Sequence, residues 1–213
     1  MATKPKPYPV TFDVVYPVKS NRLTAFFRFF LALPILLLVT ILTGSTTVYY
    51  VNQAGEQMSQ SGGGVVTGLI IATGLLIIFR QKYPRWWFDF NLELNRFTAR
   101  VQAYLLLLTD SYPSTTEPQS VILDLAYPNA KKELNRWLPL VKWLLAFPHY
   151  IVLIFLYIGV VFATIIAWFV ILFTGTYPKG LFNFVVGVNR WNLRVSAYAF
   201  LLITDRYPAF SLK

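Results

Sequence analysis

The chain has no cysteine and one histidine in 213 residues. A disulfide framework and a thiolate metal site are excluded, as is a metal site built from several histidines of one chain. Charge is scarce: 13% of residues are Asp, Glu, Lys or Arg, about half of the ~25% usual in soluble domains. Acid is scarcest, with 9 Asp and Glu against 19 Lys and Arg. No G-x-S-x-G, Walker or H-E-x-x-H motif occurs. The sequence thus predicts a protein without metal, cofactor or catalytic residues, and not an enzyme.

What is abundant is apolar sequence, 56% of the chain with 17% aromatic. It gathers into four runs, read as membrane spans: Leu23–Leu42, Val65–Phe79, Leu138–Ile158 and Gly159–Phe173. Crossing a hydrocarbon core of roughly 30 Å takes about 20 helical residues. The first and third runs meet that length; the second and fourth are short, and need flanking aromatics or local thinning of the bilayer. The net charge of +10 points to an anionic membrane surface rather than to nucleic acid.

The basic residues are unevenly placed. They precede the first run, fill the stretch between the second and third, and follow the fourth. None lies in the Thr43–Gly64 loop or at a turn expected at Ile158–Gly159. The positive-inside rule then puts the N-terminus, the centre and the C-terminus in the cytoplasm. Of the acidic residues, Glu56 alone falls outside those segments. Lys4 and Lys6 resemble the start of a signal peptide, but the first run is long and no A-x-A site follows, so it reads as a retained anchor.

The chain repeats itself. Asp13 in "TFDVVYP" aligns with Asp124 in "ILDLAYP", and "RFFLALP" from Arg28 with "KWLLAFP" from Lys142. "YPRWWFDF" from Tyr83 aligns with "YPKGLFNF" from Tyr177, and "NRFTARVQAY" from Asn95 with "NRWNLRVSAY" from Asn189. Both halves close on Thr-Asp-x-Tyr-Pro. The expected fold is a mainly α membrane protein of two tandem parallel repeats, residues 1–113 and 118–213. Each holds a short cytoplasmic strand, a transmembrane helical hairpin and an interfacial amphipathic helix. Thr43–Gly64 is a polar insertion in the first copy, with a flexible, Gly-rich "SGGGVVTG" leading into the second run. Seven of the thirteen tyrosines precede proline, which reads as helix termination at the interface.

Residues 10–16 and 121–127 alternate and are rich in Val, Ile and Phe, as strands are; they pair with each other or with another chain. The interfacial helices are expected over 85–108 and 180–203. Phe90, Leu94, Phe97, Val101 and Tyr104 form one face of the first, and Phe184, Val188, Trp191, Val195 and Tyr198 one face of the second. Such helices lie in the interface or pack against protein. Trp86, Trp87, Trp137, Trp143 and Trp191 are the expected interface anchors.

The pattern "FDVVYP … FRFFLALP … YP … NR-[FW]-x2-R-V-x-A-Y … LLTDxYP" resembles a bacterial membrane family, domain of unknown function 4389, over nearly the whole chain as two copies. The resemblance implies a membrane fold in the bacterial cytoplasmic (inner) membrane, and it carries no catalytic residue over.

Arg96, Arg100, Arg190 and Arg194 are candidates for binding anionic lipid headgroups. Asp110, Asp205, Asp13, Asp124 and Glu93 are candidate caps or ion-pair partners. His149 follows Pro148 and reads as an interfacial hydrogen-bonder. The expected function is that of a non-enzymatic multi-pass membrane protein, an accessory or scaffold subunit, whose partners are the bilayer and other membrane subunits and not nucleic acid. The alternatives are an oligomeric channel or transporter component, and a lipid-headgroup-binding regulator or enzyme using the Arg/Asp rim.

Overall fold

The computed structural model describes residues 7–44, 46–51, 55–62 and 64–213. Lys4 and Lys6, and parts of Thr43–Gly64, lie outside the described residues. The described chain is mostly helical. In order it forms β1 (Val10–Val14), α1 (Arg22–Thr43), β2 (Thr46–Val51), β3 (Gln57–Gly62) and α2 (Val65–Leu75), which continues as a π-helical turn over Leu76–Arg80. Then come α3 (Arg85–Leu105), β4 (Val121–Leu125), short α4 (Ala130–Glu133), a 3-10 turn at Leu138–Leu140, short α5 (Lys142–Leu145), α6 (Phe147–Thr174) and α7 (Lys179–Ala199).

β1 and β4 pair antiparallel with Phe12 opposite Leu123, Val10 opposite Leu125 and Val14 opposite Val121. Each strand alternates buried and exposed residues, because successive side chains leave opposite faces of the pleat. The two expected strands therefore find each other. Phe12 and Leu123 occupy matching places in the two halves of the sequence, so matching residues meet about that central pair.

Beneath the sheet run α3 and α7. Each is buried on two sides, so both pack against protein, one of the two expected placements. On α3, Phe88, Leu92, Ala99 and Ala103 belong to the core shared with the strands, while Phe97, Val101 and Tyr104 pack on Ala32 and Ile35 of α1. On α7, Val185, Val188, Val195 and Ala197 have almost no exposure. Both helices are also shorter than expected, ending at Leu105 and Ala199. Leu107 and Leu202, just beyond, take positive φ of 62° and 56°. The chain turns there, against the usual preference of non-glycine residues.

α1, α2 and α6 form the outermost layer. Arg22–Ile41 and Phe147–Thr174 are long and apolar enough to cross a membrane, and only 22% of the most apolar window of each is buried inside the protein. Val66–Arg80 is apolar but shorter.

Two expectations are overturned here. Leu138–Ile158 and Gly159–Phe173 are not the two arms of a hairpin. Residues 138–145 form short turns, and Phe147–Thr174 is one unbroken helix. Nothing at Ile158–Gly159 can stop it: no Pro, no polar side chain and no residue that would satisfy freed backbone groups. Gly159 instead admits a neighbour, since a Cβ there would lie 3.2 Å from Cζ of Phe184. Pro148 sits at the first turn of α6, where its missing N–H costs nothing. The aligned Pro34 lies inside α1.

Thr43–Gly64 is likewise no open loop. Thr46–Val51 pairs antiparallel with Gln57–Gly62 as a hairpin. The β-branched and aromatic run "TTVYYV" carries that preference, and Ser61–Gly62 of the Gly-rich stretch belong to the second strand.

Candidate functional site

The most constrained chemistry is a pair of buried clamps, one in each half. In the first, Arg28 of α1 donates to Asp110 at 2.5 Å and to the Thr109 carbonyl at 2.7 Å. In the second, Lys142 at the start of α5 meets Asp205 at 2.6 Å and donates to the Thr204 carbonyl at 2.7 Å. Each carboxylate also accepts a backbone N–H from the segment leading into its helices, Asn21 to Asp110 at 2.7 Å and Asn135 to Asp205 at 2.5 Å. Each cation lies against a tyrosine ring, Arg28 4.1 Å from the Tyr104 centroid and Lys142 5.3 Å from that of Tyr198. A buried charge is tolerable only when paired and hydrogen-bonded, and each Thr-Asp supplies both needs. Burial pushes the Lys142 ammonium below the usual lysine range, against the opposing pull of Asp205.

The sequence named Asp110 and Asp205 but not their partners. The signal was present: a lone cation inside the first and the third apolar run, at aligned positions, with one Thr-Asp per half to receive it.

A second matched set crosses between the halves. Arg96 of α3 donates to the Leu123 carbonyl at 2.9 Å and pairs with Asp124 at 3.1 Å and with Glu93 at 2.6 Å. Arg190 of α7 donates to the Phe12 carbonyl at 2.9 Å and pairs with Asp13 at 3.1 Å. Helix α3 thus braces the strand of the second half, and α7 braces the strand of the first. Two tyrosines repeat the exchange, Tyr16 donating to the Tyr177 carbonyl and Tyr127 to the Tyr83 carbonyl, each at 2.5 Å.

Arg100 donates to the Ser114 carbonyl at 2.5 Å, and Arg194, buried, to the Ser211 carbonyl. Burial and then the neighbouring Arg190 lower the Arg194 pKa from its ordinary value. Each of the four arginines expected to bind headgroups is thus engaged separately by the protein's own oxygens.

The expected anchors divide. Trp86, Trp137 and Trp143 are exposed. Trp87 is half-buried and donates to Thr73 at 2.7 Å. Trp191 is buried, its Nε1 donating to Nδ1 of His149 at 3.1 Å, with Phe210 stacked on the imidazole at 3.9 Å. His149 is therefore a core residue joining α6 to α7, not an interfacial one. Sequence reading missed Trp168, whose Nε1 donates to the Ala25 carbonyl at 3.0 Å and ties α6 to α1.

Near the sheet a cleft of 560 Å³ is lined by Tyr8, Pro9, Asp124, Tyr127, Asp205 and Arg206, among others. Burial raises the Tyr8 phenol well above its usual range, partly opposed by Arg194. Among the described residues, no cluster of three or more His, Cys, Asp or Glu is placed to hold a metal ion.

No curated protein and no solved structure matches the chain. Residues 137–211 match the family model described as domain of unknown function (DUF4389), a match that supports membership of that family and lies within the second of the two aligned halves.

Proposed function

We propose that this chain is a non-enzymatic scaffold or accessory subunit embedded in the bacterial cytoplasmic membrane. It is built from two tandem repeats, and its termini, β1 and β4 face the cytoplasm. One observation carries the reading: α1 and α6 turn most of their apolar surface outward. Phe155, Phe162, Phe169 and Phe173 are all exposed on α6, and Phe26, Phe29 and Phe30 on α1. A soluble core helix of this composition would be covered, and a contiguous apolar face of this size marks a lipid or protein contact. The charged side chains behave in the opposite way, with Arg28 and Lys142 buried in ion pairs and Arg96 and Arg190 paired at the sheet. That supports a structural rather than a reactive use of charge. The tandem-repeat reading is supported by the matched clamps, the matched positive-φ residues and the strand register symmetric about Phe12 and Leu123.

The test is extraction of native membranes in mild detergent, followed by mass spectrometry of what stays bound. The expected result is a stoichiometric membrane-protein partner. A clean, partner-free chain overturns the scaffold role.

A further inference from the structure

We infer that α6 does not cross the membrane but lies in its plane, with its outer face sunk into the acyl chains of one leaflet and both of its ends on the same side. The inference rests on the membrane reading above and deepens it.

At 1.5 Å per residue a helix of 28 residues is about 42 Å long. A helix standing across the bilayer would leave the sheet layer at one end only. α6 instead makes contacts along its whole length, with α7 beneath its first half and with α1 beside its last third. Near its start, His149 accepts from Trp191 of α7. At its middle, Gly159 lies against the ring of Phe184, also on α7. In its last third, Trp168 bonds the Ala25 carbonyl of α1. Beyond its end, the Gly175 carbonyl accepts from the Ser20 N–H at 2.8 Å. α7 is in turn fastened to β1 by Arg190, next to Trp191, at the Phe12 carbonyl. The helix is thus pinned along α7 over its first half and along α1 towards its end.

Its two faces match that placement. His149, Leu153, Val160, Ala163, Ala167 and Ile171 make one buried stripe toward the protein. Phe155, Phe162 and Phe169, spaced by seven residues, lie on an exposed face. If α6 crossed the bilayer, α7 and the sheet would be carried to hydrocarbon depth with it. The half-exposed pairs Arg190–Asp13 and Arg96–Asp124 would then sit where ionised groups are most costly. Laid flat, the same molecule keeps those pairs in water and immerses only apolar side chains, as interfacial helices do. The occupant of this face is one leaflet carrying anionic headgroups. Exposed Lys19 and Arg22 lie by the C-terminal end of α6, and exposed Arg136, Trp137 and Trp143 precede its N-terminal end, a rim of cations and indoles suited to the headgroup layer.

The absence of native cysteine makes the test clean. Phe155→Cys, Phe162→Cys and Phe169→Cys are made singly in the full chain, labelled with a fluorophore and reconstituted in phosphatidylethanolamine–phosphatidylglycerol vesicles. Quenching by lipids with spin labels at known depths then reads each position. The in-plane placement gives the same depth at all three. A steady change of about 10 Å per seven-residue step overturns it. A second pair does not touch the buried face: Lys132→Cys and Gly180→Cys, before and after α6, where a side chain at Gly180 meets nothing within 4 Å. A membrane-impermeant maleimide should label both from one side of sealed membranes, and labelling from opposite sides overturns the inference. Failure of the underlying reading looks different: vesicles that float without the protein, and no quenching at any depth.

Discussion

The two halves meet the same task with unequal parts. In the second, one unbroken helix, α6, runs from the Lys142–Asp205 clamp to Ser20, beside the first clamp. In the first, α1 leaves the Arg28–Asp110 clamp and a hairpin intervenes. α2 then returns to Gln81, which accepts from Arg136 beside the second clamp. Gln81 and Gly175 end these paths at aligned positions, both with positive φ, 45° and 73°. The lesson is that the end points are held fixed by clamps, braces and turns, while the path between them tolerates a 20-residue-scale insertion. What is matched in the two halves is the set of clamps, braces and turns; what differs is the outermost path that joins them.

The largest expected effects lie at the clamps. Removing one partner of a buried pair leaves an uncompensated charge and costs roughly 3–5 kcal/mol. Asp205→Ala should reach that range, because the Lys142 side chain is only 1% exposed. Asp110→Ala should cost less, since the Arg28 side chain is 6% exposed and lies closer to its tyrosine ring, 4.1 Å against 5.3 Å for Lys142. Thermal unfolding in mild detergent ranks the two, and equal losses would mean the clamps are interchangeable.

Next come the tyrosines that open α3 and α7. Burial pushes both Tyr83 and Tyr177 up to about 12. Their folded pKa values lie above the unfolded value of 10. The stability they confer is complete below about pH 10 and is lost as pH rises through 12. A gap of about two units is worth ~3 kcal/mol per tyrosine. Titration followed by phenolate absorbance should show both ionising late and in step with base unfolding. Ionisation near pH 10 without unfolding would place them in water.

Gly159→Leu is expected to cost about 1–3 kcal/mol, the range for overpacking, because its Cβ would press on Phe184. The same substitution at Gly68, where a Cβ meets nothing within 4 Å, should leave the melting temperature nearly unchanged. Smallest are Asp13→Asn and Asp124→Asn. Both carboxylates are well exposed, 62% and 66%, so each should cost only about 0.2–1 kcal/mol, and the two by similar amounts. Denaturant titration of both variants checks that equality.

Much of this was legible in the residues. The strands were readable because each is a short alternating run of β-branched and aromatic side chains. α3 and α7 were readable from their apolar spacing, and Asp110 and Asp205 from the repeated Thr-Asp. The break at Ile158–Gly159 was not real, because charge bias and a length rule said where a turn was wanted while no residue there could make one. The exchange of braces was hidden for a different reason. Arg96 aligns with Arg190 and Asp13 with Asp124, and an alignment of halves cannot tell whether a helix holds its own strand or the other's. The antiparallel pairing of β1 with β4 decides it. The carbonyl partners of Arg96, Arg100, Arg190 and Arg194 were hidden because an exposed cation and one bonded to a backbone carbonyl share the same helical periodicity.

The outward faces of α1 and α6 are expected to be covered by lipid. Alkaline carbonate washing of membranes from cells making the full chain tests it most directly, since it strips proteins held by charge and spares those held by apolar burial. The account predicts that the protein stays in the membrane pellet. Release into the supernatant would contradict it and would leave those faces to a protein partner.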